Sequence, residues 1–233
     1  MSSPIVVIIS SDIEWSIIGK IFIKQQLHSV ITNSPFGQYF ENAEIGHKVI
    51  FFQGGWGKIS AAASTQYVID RWWPALIINL GTCGGFRGLV EKGAIILVEK
   101  AIVYDITEQM GSLDESIAHY ITEIDLSWLT GPFPQNVQRA LMVSGDRDVL
   151  CEDIEALHQK YGATAADWES GSIAWVAAKN HIKTLILRGV SDLVGSDGGE
   201  AYQGNVKVFE DNAESILRVF VANLPEWISR SKL

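Results

Sequence analysis

IINLGTCGGF, residues 77–86, is the stretch on which the fold turns. An Ile- and Leu-rich run closed abruptly by Gly-Thr-Cys-Gly-Gly reads as a buried strand running into a backbone loop. Gly81, Gly84 and Gly85 lack a Cβ, so the chain there can turn sharply and lie close to a ligand, with amide N–H groups and the Thr82 hydroxyl facing it. The spacing matches neither G-x-G-x-x-G nor G-x-x-x-x-G-K-[ST], and Gly-rich turns after strands are often plain connections. Ligands nevertheless collect at the carboxyl ends of strands in open α/β sheets, which makes this segment the first candidate for a site.

Working outward, the residues before it form a strand, helix and strand in the βαβ manner. Ile5 to Ile9 is a continuous apolar strand ended by Ser10 and Ser11, and a helix is expected from about Asp12. FGQYFENAEI and HKVIFFQ read as a hairpin turning near Gly46. Gly57-Lys58-Ile59-Ser60 opens an Ala-rich helix to about Trp72, stopped by Pro74 before a strand at Ala75 to Leu80. Downstream, strands are expected at Ala94 to Asp105, Arg139 to Ser144, Ala163 to Ala166 and Thr184 to Val190. Helices are expected at Glu152 to Tyr161, around Ile173 to Ala177, and from Val208 to Leu224, the last stopped by Pro225. The polar tract from Thr107 to Gln135 carries no clear period. Alternating helical and strand periods without an internal repeat point to one domain spanning residues 1–233, a three-layer α/β/α sandwich around a mixed β-sheet.

Composition narrows the partners. The 233 residues carry 18 Lys+Arg against 27 Asp+Glu, a formal charge of -9, with no basic cluster for nucleic acid or an anionic membrane surface. A small-molecule partner fits better. Two cysteines, Cys83 and Cys151, are too few for a disulfide framework and suit a reduced compartment. The N-terminal SSPIVVIISSDIEW has no basic segment and too short an apolar run to span a bilayer, so it reads as a first strand, and a cytoplasmic protein is expected.

Glu14, Glu169 and Asp192 share one description: each lies just after the carboxyl end of an expected buried strand. Any one of them alone reads as an acidic residue of a helix's first turn, favoured there by the helix dipole. Together they point to one cleft. The five histidines show no metal spacing, so neither a metal nor another cofactor is expected.

INLGTCGGF, the upstream GGWGKISAA, ADWES and RGVSD stand in the order and approximate spacing of the purine nucleoside phosphorylase superfamily. The chain specifically resembles the methylthioadenosine/S-adenosylhomocysteine nucleosidases along nearly its whole length. That resemblance implies a nucleoside phosphorylase-like fold, usually a homodimer, and hydrolysis of the N-glycosidic bond of an adenine nucleoside. Carried over position by position, it implies that Asp192 faces the purine, Glu169 the ribose hydroxyls and Glu14 the attacking water. Thr82, with Cys83, Gly84 and their amides, would line the polar end of the site, and Ser191 would orient Asp192. The chemistry suits these types, because the leaving base needs an acid and the water a base.

The chain departs from the family pattern at the walls. In SGDRDVL, Asp148 stands where an aromatic ring is expected against the purine, with Val149 beside it. Trp168 replaces the usual Met beside the sugar, and Trp56 a common Ile; both read equally as core packing or as ligand wall. Alternatives are a phosphorylase or futalosine-type hydrolase of the same fold, or a non-catalytic binding or storage relative. Leu80 where many phosphorylases carry a nearby Arg, and Asp12 and Glu14 at the first strand's turn, disfavour phosphate.

Overall fold

A computed structural model describes residues 3–24, 30–42, 47–202 and 204–232. Its first half comprises β1 (Ile5–Ile9), α1 (Asp12–Lys24), β2 (Thr32–Ser34), β3 (Gly37–Asn42), β4 (Val49–Gln53), α2 (Gly57–Trp72), β5 (Leu76–Phe86) and β6 (Ile95–Val103). There follow α3 (Leu113–Ala118), β7 (Ile121–Glu123), β8 (Gln138–Ser144), α4 (Cys151–Tyr161), β9 (Ala165–Asp167), α5 (Ser170–Lys179), β10 (Thr184–Gly195), β11 (Gly198–Gly199) and α6 (Val206–Arg230).

The strands form one mixed sheet ordered β11-β10-β6-β8-β9-β5-β1-β4-β3-β2. Because β10 also pairs with β5, five strands (β5, β10, β6, β8 and β9) close into a ring from which β1 to β4 extend as an open wing. Side-chain alternation along β1 builds the layers. Ile5, Val7 and Ile9 point to one face and pack with Ile18 of α1 and with Leu217 and Phe220 of α6. Val6 and Ile8 point to the other face, against Val68 of α2 and Ile173 of α5. A strand buried on both faces must be apolar at every position, which is why 5–9 reads as an unbroken run. The expected α/β/α sandwich is therefore present, with part of its sheet curled on itself.

Three local expectations need correction. The Gly-Thr-Cys-Gly-Gly segment is not a loop: β5 continues to Phe86, with Gly84 and Gly85 paired to Ala166 and Ala165 of β9. Glycine is required there by crowding, since a Cβ on Gly85 would meet Val190 at 2.6 Å and Val90 at 2.7 Å. Asp192 likewise lies inside β10, which runs on to Gly195. Pro225 does not stop the last helix. Residues beyond it, Trp227 and Ile228, are buried, and this packing holds the turn despite the missing N–H. The expected turn near Gly46 falls outside the described residues, although β3 and β4 do pair antiparallel. Thr107 to Gln135 contains α3 and β7.

Gly81 lies at the centre of β5. A Cβ there would sit 2.0 Å from Arg188 Nη1 and 3.1 Å from Glu14 Oε1. That guanidinium is fully buried and held by other partners, so it cannot swing aside. Gly81→Ala is expected to destabilise the protein by about 1–3 kcal/mol in urea denaturation, without a change in the urea m-value.

Candidate active site

At the carboxyl ends of β1, β5, β9 and β10 the chain encloses a cavity of about 600 Å³. All ten residues singled out from the sequence line it: Glu14, Trp56, Thr82, Cys83, Gly84, Val149, Trp168, Glu169, Ser191 and Asp192.

Glu14 stands in the first turn of α1. Ser11 Oγ accepts its backbone N–H at 3.1 Å, and its Oε2 accepts the Ser11 N–H at 3.4 Å, the reciprocal bonds of a capping box. Its other oxygen is turned to the site, where Oε1 accepts the Thr82 backbone N–H at 2.7 Å and the Thr82 hydroxyl at 2.8 Å. Glu14 thus serves the helix end with one oxygen and Thr82 with the other.

Glu169 occupies the N-cap position of α5 but makes no cap bond. That task falls to Asp167, whose carboxylate accepts the Ser170 N–H at 3.2 Å. Glu169 is thereby released toward the cavity, where Oε1 accepts the Gly57 N–H at 3.0 Å. Gly57 has φ +82, a left-handed conformation that disfavours side chains, and this is the physical content of Gly in GGWGK. Burial, and then the neighbouring Asp167, raise the Glu169 carboxyl to about 8, against the lowering pull of Arg188 and the Gly57 bond.

Asp192 is re-aimed by a register shift of β10 against β5 between Val190 and Asp192. Ser191 is the extra residue. Its carbonyl leaves the ladder to accept Asn212 Nδ2 at 2.7 Å, and its hydroxyl donates to Asp192 Oδ1 at 2.6 Å. Burial raises the Asp192 carboxyl above its usual range, the Ser191 bond opposes this, and Glu200 adds to it. Cys83 is a buried thiol pushed well above its ordinary value by burial and by Asp167, so it acts as an uncharged wall.

Trp56 and Trp168 both line the cavity. Their rings stack at 4.5 Å with planes 21° apart, and Trp56 is 64% exposed at the cavity rim. Each immediately precedes one partner of the Gly57–Glu169 hydrogen bond, so the stack and the bond fix the same corner.

Sequence reasoning missed the support beneath the site. Arg188, 1% exposed, donates through Nε to Asp167 Oδ2 at 2.7 Å and through Nη2 to Asn79 Oδ1 at 2.7 Å, and approaches Glu169 Oε2 at 3.9 Å. Ser144 Oγ donates to Asp167 Oδ1 at 2.6 Å and accepts the Gly171 N–H at 2.8 Å. Arg188 and Asp167 both stand in the quoted segments RGVSD and ADWES, which is the signal that could have found them. Lys58 also escaped notice: its Nζ donates to Asp105 Oδ2 at 2.6 Å, and its backbone N–H to Asp146 Oδ1 at 2.7 Å. Phe209 and Val206 reach the cavity from α6, where the sequence offered no marker.

Residues 5–224 match the family model of the phosphorylase superfamily. The chain is 25% identical over 215 residues to the 5'-methylthioadenosine/S-adenosylhomocysteine nucleosidase of Tolumonas auensis, covering 87% of this chain and 94% of that protein. It superposes on the same-named nucleosidase of Helicobacter pylori, solved with butyl-thio-DADMe-Immucillin-A, with a TM-score of 0.76 at 16% identity, over 95% of this chain and 99% of the other. A futalosine hydrolase mutant of Helicobacter pylori gives a TM-score of 0.74 at 16% identity, over 96% and 99% of the two chains.

The raised Glu169 carboxyl has a consequence for stability. A group whose folded pKa exceeds its unfolded value near 4.5 contributes stability that is complete below 4.5 and is lost as pH climbs toward about 8. Glu169→Gln removes that loss. The variant is expected to gain on the wild type between pH 5 and pH 8, by on the order of a few kcal/mol in urea denaturation. A stability difference independent of pH would contradict it.

Proposed function

The chain belongs to the phosphorylase superfamily, and from that membership and the cavity's chemistry we propose that it hydrolyses the N-glycosidic bond of an adenine nucleoside such as methylthioadenosine or S-adenosylhomocysteine. The observation that carries the proposal is the convergence of Glu14, Glu169 and Asp192 on one cavity without a free cation. Among the described residues Arg147 is the one cationic residue of the lining and is paired with Asp153, and Arg188 is buried beneath the floor. Phosphate would meet carboxylates, whereas water would meet a base.

Cleavage separates C1′ of the sugar from N9 of the base, leaving positive charge on the ribose and negative charge on the purine. Asp192 is the acid. Its Oδ1 accepts the Ser191 hydroxyl, which leaves Oδ2 to give a proton to N7, and burial raises the carboxyl above its usual range toward that role. Glu169 accepts hydrogen bonds from the ribose hydroxyls. In the free cavity burial disfavours its charge, and two hydroxyl donors would restore the ionised form as substrate enters. Glu14, held through Oε1 by Thr82, orients the water and takes its proton as it attacks C1′. The stacked Trp56 and Trp168 wall the sugar side.

The reading takes residues 1–233 as one domain working in the cytoplasm. Among the described residues no helix is long and apolar enough to cross a membrane. It also takes the chain as a homodimer. Trp72 is spent within the chain, against Tyr39 and Tyr67, but Trp73, Trp56 and Ile59 keep large apolar surface exposed along α2. Burying such a face against a second copy accounts for it. A second reading, a hydrolase for another purine nucleoside, is suggested by the futalosine hydrolase of the same fold.

Three measurements test these claims. Chromatography of products from adenosine, methylthioadenosine, S-adenosylhomocysteine, inosine and futalosine should give free base and free sugar equally with and without phosphate; a sugar 1-phosphate would overturn hydrolysis. On the preferred substrate, Asp192→Asn should fold normally and lose ~10²–10⁴-fold in turnover while still binding the free base. An active but less stable variant would mean that Asp192 only holds the backbone. Light scattering at micromolar concentration should report twice the 25.7 kDa of one chain; an active monomer would remove the dimer.

A further inference from the structure

Asp148 is a carboxylate on the cavity wall that nothing in the protein uses. It lies between β8 and α4 and lines the cavity with Asp192, Val149 and Tyr202. Among the described residues no hydrogen bond or ion pair is made by its side chain. The neighbouring cation does not neutralise it, because Arg147 pairs with Asp153, donates through Nε to Tyr104 Oη at 3.4 Å and lies over the Tyr104 ring. Lys58 is committed to Asp105, and Lys92, whose charge reaches Asp192, is committed to Glu200. The backbone carbonyl of the next residue is also taken, since Tyr202 Oη donates to Val149 O at 2.9 Å. This wall therefore offers an incoming base two unoccupied acceptor oxygens and no ring to stack on.

We propose that Asp148 selects the base, accepting a hydrogen bond from an exocyclic amino group that lies on the same purine edge as the nitrogen protonated by Asp192. The inference rests on the hydrolase reading for the orientation of the base. N7 and the substituent on C6 share one edge of a purine, so a base that turns N7 to Asp192 turns its 6-substituent to whatever stands beside Asp192. Asp148 stands close enough for its charge to bear on both Asp192 and Tyr202. A 6-amino group donates to this carboxylate. A 6-oxo group sets oxygen against oxygen and returns Asp148, an exposed residue of the lining, to water without a bond to the base. The aromatic ring expected at this position would grip either base by stacking; a carboxylate separates them.

The test compares wild type, Asp148→Asn and Asp148→Glu by calorimetric titration with adenine and with hypoxanthine, and by hydrolysis of adenosine and inosine. Thermal melts establish that each variant is folded. Wild type should favour the 6-amino member of each pair by ~10–100-fold, the range of a hydrogen bond to a charged group. Asparagine can either donate or accept, so Asp148→Asn should collapse the preference to within ~3-fold, whereas Asp148→Glu should keep its direction. Equal binding of the two bases by wild type, or a preference unchanged in Asp148→Asn, would overturn the proposal. The titration does not depend on turnover. If it behaves as expected while neither nucleoside is cleaved, the hydrolase reading falls and base selection by Asp148 stands.

Discussion

The buried guanidinium of Arg188 is the constraint around which the site is assembled. A charge taken this far from water is tolerated only with near-complete pairing, and here Asp167, Ser170 and Asn79 provide it. Those partners come from β9, α5 and β5, so satisfying one side chain fixes how three elements meet. Asn79 passes the constraint further, donating to Ile8 O at 3.0 Å and so tying β5 to β1 beneath Glu14. Gly81 is the concession that makes room for the guanidinium. Everything above this node inherits its geometry: Glu169 is two residues from Asp167, and Ser191 and Asp192 follow Arg188 along β10.

Seen from that node, helix capping and the site are one arrangement. Asp167 closes the N-terminus of α5, answers Arg188 and accepts the Ser144 hydroxyl. Had Glu169 capped its own helix, as an acidic residue at an N-cap ordinarily does, its carboxylate would point along the helix and be lost to the cavity. Glu14 solves the same problem differently, with one oxygen for the cap and one for Thr82.

The sequence makes the layers and the trio of carboxylates legible because both have local signatures. Unbroken apolar runs mark strands buried on two faces, and an acidic residue after such a run marks a strand's end. Arg188 and Asp167 have no such signature, although they stand in RGVSD and ADWES, two of the segments that carry the family resemblance. Their meeting depends on β9 and β10 both closing on β5, a long-range pairing that no window of residues reports. The glycines of residues 81–85 mislead for a related reason. Glycine answers equally to a turn and to crowding between strands, and only the neighbours, Val190 and Val90 for Gly85, tell which. Pro225 is overridden in the same way by the burial of Trp227 and Ile228.

The walls of the cavity separate what the fold enforces from what it leaves free. Glu14, Glu169 and Asp192 are each bound to backbone or to a neighbour whose place the sheet determines, so substituting them disturbs geometry as well as chemistry. Trp56, Trp168 and Asp148 differ in kind. The two indoles bind chiefly each other, and among the described residues the Asp148 side chain has no hydrogen-bond or ion-pair partner. Residues with so few obligations can change without cost to the scaffold, and their identity is then decided by whatever enters the cavity. A floor tied to Arg188 and a rim free of it thus divide the cavity into what the scaffold holds in place and what it leaves to vary.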